Sequence, residues 1–424
     1  MTLAAERAGA SAAGALLRQA VPMLAVLYML GLLNIFLRNS MGVLAPELSR
    51  DLVLPPEALG AVSSAFFIAY AVMQVPTGVL LDRFGARWTL PLLLVVTVAG
   101  VVLFAMAERH GELILSRLMM GFGCAGCFAG AFFLIARWFP GDRFASYGST
   151  LNSFAMLGTF LAATPLALAA ATFGWRGTFA GIAVGVAVLL ILAALLVRDA
   201  PPSRPAAPRR GESAAEILAG LRRILRTPGI KRLACVGFGL SAGSTISGLW
   251  GGPYLNDVHG LSDIGRGNVL LTMAVAGCVS HFCYGQLARR LNTLKWLILG
   301  GTAVVICMLT LLALLPHPGL GAVTALFVLI GLACGFPTLI SAHARALVPE
   351  HLIGRGMTTV NMAVMTTIAL MQFAVGAVVG MFAPTEAGVA PEIAYRAAFA
   401  FMAAASALSF LVYAGVPDAK PRPQ

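Results

Sequence analysis

Two arginines stand where the surrounding chain is otherwise hydrocarbon-like, Arg38 in Leu37-Arg38-Asn39-Ser40 and Arg117 in Ser116-Arg117-Leu118-Met119. A charged side chain at the centre of a membrane-spanning helix costs roughly 2.5 to 3.5 kcal/mol before compensation, so each requires a reason. A guanidinium offers one: its planar fork of donors fits a carboxylate or a phosphate in two-point contact. For Arg38 two readings stand, an anion receptor and a side chain that snorkels to the interface. All 17 acidic residues fall in loops, tails or span ends, so no embedded carboxylate is available to hold a cation.

Polar side chains placed to join Arg38 in a cavity are Asn34, Tyr70, Gln74, Asn152, Asn361 and Gln372. Hydrogen bonds between helices account for the polar ones equally well. Asn34 and Arg38, four residues apart, share a face with Gly31, Gly42 and Ala45. His281 and Tyr284 share another face, and Trp250 with Tyr254 forms either a gate or an interfacial belt. His281 and His343 are candidates to exchange a proton, against the plainer reading of neutral helix contacts. No catalytic constellation, phosphate-binding loop, cofactor motif or metal pattern is found, so no enzyme is expected. Cys124 and Cys127 sit in Gly-Phe-Gly-Cys-Ala-Gly-Cys, where close helix packing is the better account of the spacing.

These residues need spans to carry them, and the composition supplies them. The 424 residues are 59% apolar and only 11% charged, with a mean hydropathy of +0.88, whereas soluble domains carry about 25% charged residues. Twelve apolar runs reach the roughly 20 residues that cross a bilayer. The net charge of +12 would point to nucleic acid in a soluble protein; here the positive-inside rule absorbs it, and no nucleic-acid partner is expected. Of the 29 bases, Arg50, Arg109, Arg176, Arg266 and Arg396 lie in loops on one side, and Arg38 and Arg117 lie inside spans. The other 22 share the side of both termini, which is therefore expected to be cytoplasmic. No removable leader is read at the N-terminus.

The chain divides into an N-terminal tail (1–20), a six-span unit (21–197), a basic Pro- and Arg-rich linker with an amphipathic run suited to anionic lipid (198–232), a second six-span unit (233–414) and a tail (415–424). Gly78-Val-Leu-Leu-Asp82-Arg83-Phe-Gly85-Ala-Arg87-Trp88 forms a charged turn between the second and third spans, with Gly78 and Gly85 permitting tight backbone and Asp82 suited to a helix N-terminus. Gly285-Gln-Leu287-Ala-Arg289-Arg290 repeats it, and Pro140 and Asn152 recur as Pro349 and Asn361, at offsets of roughly 208 residues.

The turn resembles the signature G-x-L-x-D-R-x-G-x-R-R of the major facilitator superfamily of transporters, departing at Trp88. Arg117-Leu-Met-Met-Gly121-Phe-Gly123 resembles a second superfamily motif, R-x-x-x-G-x-G, which implies a packing or coupling role for Arg117 and Gly121. The resemblance implies an all-α polytopic fold of twelve transmembrane helices in two pseudo-symmetric six-helix bundles, monomeric, working by alternating access without a cofactor. It also implies conformational roles for the turn residues, for Arg143 and for His343. Phe36-Leu-Arg38-Asn39-Ser-Met-Gly42-Val looks like the first span of the anion-cation symporter branch, which carries Arg38 across as the anion site. Many members of that branch place a proton-coupling acid seven positions after the span-4 arginine, and here that position is Cys124. The expectation is thus a bacterial inner-membrane transporter taking up a small organic anion, with a proton as the candidate coupling ion. An exporter of drugs or metabolites is weakened by the missing carboxylate and by the poor exporter motif from Gly158 to Leu166. A transporter-like sensor or scaffold would need a signalling domain that this linker is too short to supply.

Overall fold

In a hydrocarbon slab each backbone amide and carbonyl must find its partner within the protein, and the helix meets that demand one segment at a time. The computed structural model describes residues 2–139, 141–201, 223–224, 229–348, 353–385 and 388–420. The basic linker and its amphipathic run lie almost wholly outside them, as do Pro140 and Pro349.

The N-terminal bundle contains α1 (Thr2–Asn39), α2 (Met41–Leu52), α3 (Pro56–Phe84), α4 (Ala86–Met106), α5 (His110–Trp138), α6 (Gly141–Leu161) and α7 (Thr164–Leu196). The C-terminal bundle contains α8 (Ile230–Cys235), α9 (Gly237–Thr245), a π-helical segment (Ile246–Trp250), α10 (Gly251–Asp257), α11 (Asp263–Leu291), α12 (Lys295–Leu314), α13 (Leu320–Ala333), α14 (Pro337–Leu347), α15 (Ile353–Gly380) and α16 (Glu392–Ala414). Eleven segments among the described residues are long and apolar enough to cross a membrane. The remaining span, the fifth, is interrupted: α6 stops at Leu161, α7 restarts at Thr164 with Pro165 in its first turn, and Gly174, at φ 68°, turns the chain into the next span. Span 1 breaks at Ser40, span 7 through its π segment, and span 10 at Cys334–Phe336.

Both bundles are fastened by matching contacts, which is the sequence repeat seen in space. At the end carrying the Gly78–Trp88 turn, the Asp199 carboxylate accepts from the amides of Ala86 (2.6 Å) and Arg87 (3.1 Å), while Asp418 accepts from the amide of Lys295 (3.0 Å) and from Thr293 (2.8 Å). Each places a carboxylate on the N-terminus of its bundle's third span, where the helix dipole favours it. Thus the carboxylate found on the α4 amides belongs to Asp199. Gly85, at φ 76°, makes the turn, and a Cβ there would run into the Asp199 carboxylate; Gly78 lies inside α3 with no neighbour within 4 Å. At the opposite end Arg176 donates to the carbonyl of Ala107 (3.1 Å), and Arg396 donates to those of Ala313 and Leu314 (2.8 and 3.1 Å).

Small residues set how near the helices come. A Cβ on Gly121 would clash with the Phe66 carbonyl of α3, one on Gly123 with Leu93 and Thr97 of α4, and one on Gly158 with the Leu32 carbonyl of α1. Between the bundles the close approaches gather at the end away from the signature turn. Gly42 meets Ser247 and Gly252, Gly60 meets Gln372 and Gly376, Gly267 meets Thr164 and Ala167, and Glu57 lies against Gly380. Thr164 donates to Asn268 across the same seam at 2.8 Å. Gly78 and Gly285, at the signature end, have no such neighbours. The molecule is sealed at the far end.

Candidate functional site

Arg38 lies in the last turn of α1, two residues before the break at Ser40. Two donors converge on the carbonyl just before it: Ser40 Oγ at 3.0 Å and Arg117 Nη1 at 2.7 Å both reach Leu37 O. Arg117 is fully buried, its guanidinium 4.7 Å from the Phe66 ring centre, and its Nε and Nη2 meet no partner among the described residues. It therefore fixes the backbone at the break and holds the turn that presents Arg38.

Arg38 differs. It is half-buried, with its guanidinium 5.4 Å from the Phe67 ring centre, and no acid or hydrogen-bond acceptor pairs with it among the described residues. The Tyr70 phenol lies near enough to feel its charge, and Gln74 stands one turn further along α3.

On the next residue, the Asn39 amide donates to Ile35 O (3.0 Å) and to Thr159 of α6 (3.4 Å), linking α1 to the interrupted fifth span. Across the seam Gly248 lies between Asn39 and Gln372, and Gln372 donates to Ser244 O at 3.4 Å. Trp250 Nε1 donates to Gln372 O at 3.3 Å. Asn39, next to Arg38, thus stands beside Gly248 of the other bundle, with Gln372 on the far side of that glycine. The missing side chain at Gly248 and the π turn around it, in which i→i+5 bonding widens the helix, make room there. Asn39 and Thr159 were the polar groups that sequence reasoning passed over; adjacency to Arg38 was the available signal for the first.

The remaining candidates lie elsewhere. Asn34 is fully buried and donates to Cys124 O at 2.9 Å, which ties α1 to α5. Tyr254 is buried in an aromatic cluster with His259, Phe327, Tyr395 and Phe399. Tyr284 donates to Ala333 O at 3.0 Å, and His281 Nδ1 lies 2.7 Å from Gly277 O. His343 is buried with both ring nitrogens engaged, 2.8 Å from the Tyr413 hydroxyl and 3.0 Å from Pro417 O. Asn152 is exposed on α6, and Asn361 is half-buried on α15. Asp82, Arg83, Arg87 and Arg143 are exposed at the signature end. No cluster of metal-ligating side chains occurs among the described residues.

The sequence profile described as Major Facilitator Superfamily matches residues 27–371. A hexuronate transporter of Bacillus subtilis is 25% identical over 315 residues, covering 72% of this chain and 74% of its own. A putative tartrate transporter of Agrobacterium vitis is 24% identical over 366 residues, covering 80% and 79%. Among solved structures, a bacterial homolog of the human lysosomal transporter Spinster, crystallised inward-facing and occupied, superposes with a TM-score of 0.76 at 17% identity, over 92% of this chain and 95% of that one.

Proposed function

Because the chain belongs to the major facilitator superfamily, we propose that it takes up a small organic acid, a sugar acid or a dicarboxylate, by alternating access around Arg38. That it is a multi-pass membrane transporter and not an enzyme follows from the family and the fold. One observation carries the anionic substrate: Arg38 is a half-buried cation without an acid or acceptor partner among the described residues. The named cargoes of the two relatives, hexuronate and tartrate, are acids, which supports the same reading.

The signature end is assigned to the cytoplasm from the distribution of bases, so the sealed end is external and the conformation is inward-facing. The membrane is the bacterial plasma membrane, and uptake is driven by an ion gradient or by the substrate's own. Reporter fusions at residue 210 and at the C-terminus test this orientation: both are expected to report cytoplasm, and an external signal from either overturns it. Purified protein heated with matched panels of sugar acids, dicarboxylates and organic cations tests the substrate class. A ligand at about a hundred times its Kd stabilises the folded state by about 2.7 kcal/mol. A rise in Tm with acids and none with cations is expected, and the reverse pattern excludes an anion carrier.

A further inference from the structure

Span 10 is made in two pieces with a finished joint between them. Pro337 has no amide hydrogen to give to the Ala333 carbonyl, and the backbone at Cys334 and Phe336 leaves helical geometry, at ψ 18° and 4°. Two carbonyls at the break are answered from α11. Ser280 Oγ donates to Leu332 O and the Tyr284 hydroxyl to Ala333 O, while Gly335 packs so closely on Ser280 that a Cβ would clash. The end of α13 is thus pinned at the joint, and α14 begins as a fresh helix beyond it.

On the signature side of the joint, α14 is tied to its own bundle by the C-terminal tail. His343 is fully buried, with Nε2 at 3.0 Å from Pro417 O and Nδ1 at 2.8 Å from the Tyr413 hydroxyl of α16. A carbonyl only accepts, so Nε2 carries the hydrogen and Nδ1 accepts from Tyr413. The tail that presents Pro417 is itself fastened on either side. Arg232 of α8 donates to Gly415 O at 2.9 Å, and Val416 is buried beside Gly229. Beyond Pro417, Asp418 accepts from the Lys295 amide and from Thr293, and the Leu294 amide donates to Ala419 O at 3.1 Å. A short strap therefore joins the starts of spans 7 and 9 to the hinged half of span 10.

We propose that this tail is a tether with His343 as its clasp: while the clasp is made, α14 is held back within its own bundle and the signature end stays open. Its release lets α14 swing about Cys334–Phe336 toward the N-terminal bundle.

The clasp is closed in the state described, in which Gly78 and Gly285 at the signature end have no neighbour within 4 Å while the far end is sealed. Its bonds run from α14 to α16 and the tail and none reaches the other bundle, so they stabilise α14 only where it now lies. The N-terminal bundle has a matching fastening without the hinge. There Trp138 Nε1, at the end of α5, donates to Arg198 O at 2.8 Å, beside the Asp199 that caps α4, but α5 runs unbroken from His110 to Trp138. The hinged half-span belongs to the C-terminal side of that pair.

Fluorophores on noncanonical residues in place of Ala136 of α5 and Ala346 of α14, both exposed at the signature end of opposite bundles, report the gap and leave the native cysteines in place. His343→Leu removes both bonds of the clasp and is expected to shift the population toward the short distance by about five- to a hundredfold, the worth of two buried hydrogen bonds. His343→Gln offers one donor and one acceptor and is expected to keep the long distance. Asp418→Ala leaves His343 and Tyr413 in place but unties the tail from α12, and is expected to shift the gap in the same direction as His343→Leu. Asp418 is exposed, so this variant tests the tether with the buried clasp residues intact. A His343→Leu gap equal to wild type overturns the clasp. An Asp418→Ala gap equal to wild type overturns the tether even where His343→Leu shifts, since His343 would then act through local packing alone. Because no substrate is added, neither result bears on whether the cargo is an anion.

Discussion

Replacing Arg38 with lysine is expected to weaken substrate binding by about ten- to a hundredfold, and replacing it with alanine by at least as much. Hydrogen bonds to charged groups are worth about 1.5 to 3 kcal/mol, and lysine retains the charge while losing the planar two-point geometry. The loss should be confined to binding. Arg38 has no ion-pair or hydrogen-bond partner to abandon among the described residues, so folding is disturbed little compared with Arg117, whose removal would take away one of the two donors on the Leu37 carbonyl. A snorkelling Arg38 gives a different outcome, because lysine snorkels too and the substitution would leave affinity unchanged. Binding isotherms of folded wild type, Arg38→Lys and Arg38→Ala with a sugar acid decide between the two.

Gly252→Val is expected to block closure of the external end and to depress transport about five- to a hundredfold. A Cβ at Gly252 would stand inside the Gly42 carbonyl across the seam, where neither backbone can give way easily. Overpacking of that kind costs about 1 to 3 kcal/mol, which is a factor of roughly five to a hundred in the closed population. The strain exists only while the bundles touch, so the outward-open state is spared. Gly181→Val is the control: a Cβ there has no neighbour within 4 Å on α7, and transport should be unchanged. Initial rates of uptake into proteoliposomes give the comparison, and a Gly252→Val rate equal to wild type would mean that this contact does not close the gate.

Much of the architecture was legible because lipid leaves the backbone few choices. The span-forming runs, the repeat linking Gly78 to Gly285 and the isolated charge at Arg38 are all properties of composition and offset. The breaks were not legible. Ser40, Ala162–Ala163 and the π turn at Ile246–Trp250 interrupt apolar segments, and the contacts made beside the breaks are tertiary, such as Arg117 on the Leu37 carbonyl and Thr164 on Asn268. Gly252 illustrates this: its need for a bare Cα arises from Gly42, two hundred residues away in sequence. Helical periodicity likewise placed Asn34 beside Arg38 on one face, but α5 packs close enough that Asn34 spends its amide on Cys124.

The anionic substrate reduces to one contact, and a structure of the protein with a bound sugar acid would show it. The predicted result is a substrate carboxylate within about 2.7 to 2.9 Å of the Arg38 guanidinium nitrogens, the range for charge-assisted bonds. A sugar acid seated in the cavity with its carboxylate on other groups and Arg38 turned away would contradict it.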